Sequence, residues 1–455
     1  MHQYKMNGYN IVVDTNSSSI HVVDEVAYDV IEEYGKDPDR NRIIEKIHIK
    51  YPEIDKEEIS ECIDDVEDLI SNGKLFSEDR YRNIKINKNY EDQDIKALCL
   101  HVAHTCNLTC DYCFAGQGKF DGPDAIMDLE VGKRAIDFLI ENSGDKRNLE
   151  VDFFGGEPLI NWEVCKDIVK YARSLEDKYN KNFRFTLTTN GMLIDDDVID
   201  FCNKEMYNVV LSLDGRKEIH DKYRTSKDGR GSFDRIVPKF QKLVEKRDGK
   251  NYYMRGTFTR ENLDFTEDIF EMVDLGFREL SLEPVVTKPG DPNGIREEDL
   301  PQIYDEYEKL ANFMIEKREE GDPITFYHYM INLENGPCIY KRVKGCGVGT
   351  EYMAVTPQGD LYPCHQFVGN EKFKLGDIHN GITNKELRED FIDTDLYKHD
   401  ECEDCWAKLF CAGGCKANAY NSTGSIKDVY KEGCDIFRKR MECAIMLKVD
   451  EASSN

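Results

Sequence analysis

Cys106-Asn-Leu-Thr-Cys110-Asp-Tyr-Cys113 sets three thiols on one short stretch at C-x3-C-x2-C spacing. Soft sulfur ligands suit iron-sulfur assembly, so three thiolates on one loop would hold three irons of a 4Fe-4S cube and leave the fourth open. Zinc is the competing occupant, but it takes four ligands, and His104 is the sole neighbour able to complete a set. A second series begins at Cys346, continues through Gly359 and Cys364, and reaches Cys402-x2-Cys405-x5-Cys411-x3-Cys415 and Cys434, with Cys338 and Cys443 flanking it. Taken alone, the stretch from Cys402 to Cys415 also reads as a zinc knuckle. The chain has 16 cysteines and no segment resembling an export signal, and a reducing cytosol does not sustain structural disulfides. Metal is the expected use. Cys62, Cys99, Cys165 and Cys202 stand apart in apolar surroundings and read as small buried hydrophobes.

The cysteine loop follows a strand-like run, Ala97 to Ala103. Five further runs of that kind are Leu149 to Phe154, Phe183 to Thr188, Val209 to Leu213, Tyr253 to Phe258 and Leu280 to Val285, with amphipathic stretches between them such as Leu129 to Glu141 and Trp162 to Leu175. Strand alternating with helix predicts parallel βα units, closed by right-handed crossovers into a barrel or part of one, over residues 96–320. Binding groups then belong at the C-terminal ends of strands. The second run ends in Gly155-Gly156-Glu157-Pro158, where glycines let the backbone approach a ligand closely. Thr189-Asn190-Gly191 ends the third, and Ser212-Leu213-Asp214-Gly215 the fourth; their hydroxyl, amide and carboxylate groups suit a ribose, while Asn-Gly and Asp-Gly also serve as plain turns. Arg224 offers a fork for a ligand carboxylate.

In this order, and with aromatic Tyr112 before the third cysteine, these motifs resemble the radical S-adenosylmethionine (SAM) superfamily. The resemblance implies a partial (β/α)6 barrel whose open iron chelates SAM, with Tyr112, Gly155, Gly156, Glu157, Thr189, Asn190, Ser212, Asp214 and Arg224 around the cofactor. The later cysteines resemble the SPASM extension, which binds two auxiliary 4Fe-4S clusters. Carried over position by position, Cys402, Cys405, Cys411 and Cys434 would hold an outer cluster, and Cys346, Cys364 and Cys415 would contribute to an inner one. Cys338 is the open candidate for completing the inner set, and Cys443 has no assigned role. Three 4Fe-4S clusters are implied in total, the cysteine-dense domain spanning residues 335–443 and folding around metal. The tail from Ala452 to Asn455 is expected to fray.

Residues 1–85 read as two short strands, Asn10 to Val13 and Ser19 to Val23, then three helices, a small winged-helix-like domain. Winged helices commonly bind DNA, but the third helix carries Glu57, Glu58, Glu61, Asp64, Asp65, Glu67 and Asp68, and the chain's net charge is -28. Such a field repels phosphate backbones and anionic lipid, which excludes nucleic acid and membrane surfaces as partners. With no apolar run long enough to span a bilayer, a cytoplasmic protein is expected. The block instead resembles the tethered peptide recognition elements of enzymes that modify ribosomally made peptides, which hold a leader as an added strand. Together the three parts resemble thioether-forming maturases of cysteine-rich precursor peptides, particularly those of "six cysteines in forty-five residues" precursors. The resemblance implies sulfur-to-α-carbon (sactionine) crosslinks: reduced cluster cleaves SAM, the deoxyadenosyl radical takes an α-hydrogen, a cysteine sulfur bonds that carbon, and one electron leaves through the auxiliary clusters. A flavodoxin or ferredoxin would supply electrons. Two alternatives are an anaerobic sulfatase-maturing, formylglycine-forming enzyme and a non-catalytic peptide-binding iron-sulfur protein.

Overall fold

A computed structural model describes residues 1–82, 95–333 and 336–454. The boundary proposed near residue 85 lies outside the described residues. The chain opens with β1 (His2–Met6), β2 (Tyr9–Asp14) and β3 (Ser19–Val23), an antiparallel sheet in that order, so a strand precedes the expected hairpin. β1 escapes the sequence reading because His-Gln-Tyr-Lys-Met is polar and offers no β-branched run. Helices Glu25–Lys36, Arg40–Lys50 and Lys56–Ser71 follow. The first two are capped by Asp24 and Asp39, whose carboxylates accept from Ala27 and Arg42 N–H. Val12, Val30, Ile31, Ile43, Ile47, Ile59, Ile63 and Val66 form the core of this domain.

The second sheet is built on parallel strands β4 (Ala97–His104), β6 (Asn148–Gly155), β7 (Asn182–Thr189), β8 (Met206–Ser212), β9 (Tyr252–Phe258), β10 (Glu279–Pro284) and the short β11 (Thr325–Phe326); β5 (Ala125–Ile126) pairs with β4. β12 (Tyr352–Val355) joins the other edge of β4 in parallel, and β13 (Asp360–Tyr362), β14 (Gly376–Asp377) and β15 (Gly381–Ile382) extend it antiparallel. The expected α/β fold with its parallel sheet is present. All six expected strands lie within one to three residues of their predicted ends. Alternation explains their packing: Leu149, Val151 and Phe153 of β6 are buried, as are Phe183, Phe185 and Leu187 of β7, beneath helices that contribute Cys165, Ile168 and Val169. Each such side chain is worth about 1.5–3 kcal/mol when fully buried. The other face carries Asp152, Thr186 and Asn208, in register across β6, β7 and β8. Three of the isolated cysteines, Cys99, Cys165 and Cys202, are buried as expected, and Cys62 is half-buried.

Of the tail expected to fray, Ala452 and Ser453 are helical, and Asn455 lies outside the described residues. Lys431–Ser453 is one long helix, returning from the cysteine-dense region to pack along Leu300–Glu319. Its core face, Ile436, Met441, Cys443, Ala444, Ile445, Met446, Leu447 and Val449, is wide and interrupted by buried Arg440, which obscures the helical period in the sequence. Arg318 pairs with Asp450, fixing the last turns. Among the described residues no helix is long and apolar enough to cross a membrane.

Candidate functional site

The cysteine loop leaves the C-terminal end of β4 and is held against the ends of β6, β7 and β8. Two glycines make that approach possible. A Cβ on Gly155, at φ +128°, would stand 2.3 Å from the carbonyl oxygen of Ala103, and one on Gly156 would stand 2.2 Å from that of Thr105, the residue before Cys106. Gly156 N–H donates to Ala103 O and Glu157 N–H to Thr105 O. The Glu157 carboxylate, buried, accepts from Leu159 N–H (3.0 Å), Thr189 Oγ1 (2.8 Å) and Asn190 N–H (2.8 Å), knitting the ends of β6 and β7 together. Burial pushes this carboxyl up to about 7 against those donors.

Asn190 then reaches the loop itself: its Nδ2 donates to Asn107 Oδ1 at 2.8 Å and lies 3.6 Å from Cys106 Sγ, which also accepts from Leu108 N–H at 3.4 Å. Such donors to sulfur are a lever on an iron-sulfur potential. Tyr112 is fixed from the other side, where Asp214, with no exposed side-chain surface, accepts from Tyr112 Oη (2.5 Å), Arg224 Nε (2.8 Å), Arg224 Nη2 (3.0 Å) and Thr257 N–H (3.0 Å). Asp214 therefore faces Arg224 and Tyr112, rather than presenting both oxygens to a ribose, and the Arg224 fork is engaged by Asp214. Ser212 is half-buried at the end of β8, in register with Arg255. The Asp214 carboxyl is held below the usual range because the Arg224 charge and hydrogen bonds outweigh burial.

Three separate groups of thiols emerge. Cys106, Cys110 and Cys113 share the loop; burial lifts Cys106 to about 11 and Cys110 to about 12, with the neighbouring thiols adding to it. In the second set, burial pushes Cys402 and Cys411 up to about 12 and Cys434 to about 11, with neighbouring thiols, Cys405 among them, adding to it. Cys364 and Cys415 are likewise raised by burial and by their neighbours, Cys346 among them. Cys338 is exposed at the N-terminus of helix Ile339–Lys344, and Cys443 lies in the core against Tyr329. His104 is bonded to His101 at 3.1 Å. Among the described residues no three His, Cys, Asp or Glu side chains converge tightly enough for a single metal ion. Soft thiol sets of this kind fit iron-sulfur groups.

Sequence reasoning missed a polar group between the barrel and the Cys346–Cys364–Cys415 set. Glu283 of β10 pairs with Arg255 of β9, and His328 Nε2 lies 3.2 Å from Ser281 Oγ and 3.7 Å from Glu283. Burial raises the Glu283 carboxyl, but Arg255, His328 and Arg440 outweigh it and hold it at about 2. The available signal was a charged residue in the otherwise apolar run Leu280-Ser-Leu-Glu283.

Residues 100–273 match the Radical SAM superfamily, and residues 346–406 match the SPASM iron-sulfur cluster-binding domain. The chain thus carries a radical SAM domain followed by a SPASM domain, whose cofactor classes are SAM and iron-sulfur clusters. Its relatives include the radical SAM cyclopropyl synthase TigE of Paramaledivibacter caminithermalis, 23% identical over 91% of this chain and 88% of that protein. A cysteine-type anaerobic sulfatase-maturating enzyme of Clostridium novyi is 27% identical over 72% of this chain and 89% of its own length. In fold the chain is similar to anSMEcpe solved with bound AdoMet (TM-score 0.65, 23% identity, 79% of this chain and all of that one). It is also similar to Streptococcus suis SuiB bound to S-adenosylmethionine (TM-score 0.53, 19% identity, 93% of this chain and 96% of that one).

Proposed function

We propose that the enzyme installs sulfur-to-α-carbon thioether crosslinks in a ribosomally made, cysteine-rich precursor peptide, recognising its leader with residues 1–85 and using three 4Fe-4S clusters. Cys106, Cys110 and Cys113 would hold the SAM cluster, residues 335–443 the two auxiliary ones. When bound, SAM and its cluster supply a deoxyadenosyl radical at the mouth of the barrel. The chain's own residues set where that happens. Asn190 and Leu108 donate toward Cys106, the Asp214–Arg224–Tyr112 group fixes the loop between Cys110 and Cys113, and the glycines of β6 let the loop close onto the strand ends.

The observation that carries the peptide reading is the state of the first sheet's two edges. β1 lies against the C-terminal helix, where Tyr4 Oη donates to Glu442 O at 2.9 Å and His2 Nε2 is 2.8 Å from Glu442 Oε1; Tyr9, which opens β2, donates to Asp450 on the same helix at 3.0 Å. β3 is paired with β2 alone among the described strands, and its Val22 is 49% exposed. An extended leader adding to β3 would gain main-chain hydrogen bonds along that edge, with apolar side chains adding affinity. The match to the cyclopropyl synthase TigE extends over nearly the whole chain and favours, as second reading, formation of a cyclopropyl group. A formylglycine-forming activity is the third.

One experiment separates them. The reconstituted enzyme is incubated anaerobically with SAM, reductant and a cysteine-rich precursor encoded beside its gene, or with a sulfatase-type cysteine peptide. Thioether links in the precursor, lost when its leader is removed, are the expected products; aldehyde in the sulfatase peptide, or links not involving sulfur, would overturn the reading.

A further inference from the structure

The segment that leaves the N-terminal domain is built into the outer four-cysteine site. Lys408 lies between Cys405 and Cys411, opens the short helix Lys408–Cys411, and has 9% of its side chain exposed. Its ammonium is 2.8 Å from Asp79 Oδ2 and donates to Glu403 O at 3.0 Å. Asp79 is itself fixed: its Oδ1 accepts from Tyr397 Oη (3.0 Å), Tyr81 N–H (3.0 Å) and Arg82 N–H (3.2 Å). Tyr81 packs with Val343, Leu396, Cys402, Leu409 and Val429, the apolar cluster behind the cysteines, and Arg82 pairs with Glu403. Two cations border the site among the described residues, Lys408 beside Cys402 and Arg438 beside Cys405 and Cys434. An iron-sulfur cube held by four thiolates is an anion, and its potential follows the charges around it.

We propose that Asp79–Arg82 clamps the outer cysteine loop, Asp79 holding Lys408 and Tyr81 backing Cys402, so that retention and potential of the group bound there depend on the N-terminal domain. The inference rests on the assignment of Cys402, Cys405, Cys411 and Cys434 as one ligand set. Asp79 and Tyr81 are positioning residues. Removing Asp79 strands an ammonium in a buried place, a loss that deleting the ammonium as well should relieve.

The test uses full-length, anaerobically reconstituted Asp79→Asn, Tyr81→Ala, Lys408→Met, Asp79→Asn/Lys408→Met and Cys411→Ser proteins. Iron and sulfide content, Mössbauer spectra and EPR-monitored redox titration are read, with thermal unfolding of each protein before reconstitution as a check on folding. Cys411→Ser, Asp79→Asn and Tyr81→Ala should each lose roughly a third of the iron, the share of one cluster in three. The double variant should regain the iron of Asp79→Asn, and it and Lys408→Met should show an outer-site midpoint shifted to more negative potential. Full iron and an unshifted midpoint in Asp79→Asn and Tyr81→Ala, beside loss in Cys411→Ser, would overturn the clamp while leaving the ligand set intact. Full iron in Cys411→Ser would overturn the ligand set and the clamp with it. Loss of all iron with a collapsed unfolding midpoint in both Asp79→Asn and Tyr81→Ala would also overturn the clamp, showing a role in folding at large.

Discussion

Replacing Asp214 by Asn breaks the buried pair that ties the cysteine loop to the barrel. Arg224, with 12% of its side chain exposed, would lose both charge-assisted contacts, and Tyr112 Oη and Thr257 N–H would share one neutral amide oxygen. Breaking a buried pair from one side typically costs about 3–5 kcal/mol, because the remaining charge is left without compensation. For a barrel of this size that is a fall of roughly 10 °C in thermal midpoint. The double variant Asp214→Asn/Arg224→Met removes the stranded guanidinium and should recover part of the loss. The pH dependence has a definite sign. The Asp214 carboxyl is depressed in the folded protein, so its stabilisation is present above the unfolded carboxyl's titration and is lost as pH falls through the folded value. The acid-induced decline in wild-type stability should therefore be shallower in Asp214→Asn. Circular dichroism melts from pH 7 down to pH 3, on protein without iron, measure both. A variant as stable as wild type, or a double variant no better than the single one, would refute the view that this pair anchors the loop.

Three further outcomes follow from the geometry. Gly156→Ala should displace Thr105 and the loop it leads, since a Cβ there meets backbone at 2.2 Å, and iron analysis should show loss of the SAM-site share with the rest retained. Glu157→Gln should destabilise the ends of β6 and β7 by about 1–3 kcal/mol, because its amide NH2 would face a backbone or hydroxyl donor, and denaturant unfolding would show no change if those bonds carry little weight. The triple Cys106→Ala, Cys110→Ala, Cys113→Ala variant should form no deoxyadenosine yet keep roughly two-thirds of the iron, and SAM cleavage persisting in it would show that the cluster sits elsewhere.

The barrel was legible because each strand is a β-branched or aromatic run bounded by turn residues, and the motifs fall at the strand ends where such folds place ligand groups. The cysteine sets came from the resemblance, since spacing alone also allowed a zinc knuckle; burial and their neighbouring thiols raise Cys402, Cys411 and Cys434 together. Side-chain partnerships were not legible. Asp214 and Arg224 are ten residues apart in sequence, and nothing local shows that they face each other more than a ligand. The C-terminal helix was hidden because burial on several sides erases amphipathic spacing. The N-terminal block, read as a tethered module, is docked: β1 lies on that helix, and Asp79 and Tyr81 reach into the cysteine-dense region. Such contacts join residues over 300 positions apart, which no local pattern encodes. Deleting the block would thus disturb more than leader capture.

The most direct measurement of the central claim follows one hydrogen. A precursor peptide is prepared with deuterium on the α-carbons of its candidate acceptor residues, then incubated anaerobically with reconstituted enzyme, SAM and reductant. The account predicts deuterium in the deoxyadenosine formed, together with a peptide that loses one α-deuterium and one thiol hydrogen per crosslink and can no longer be alkylated at the linked cysteine. Deoxyadenosine free of deuterium, with every precursor cysteine still open to alkylation, would contradict it.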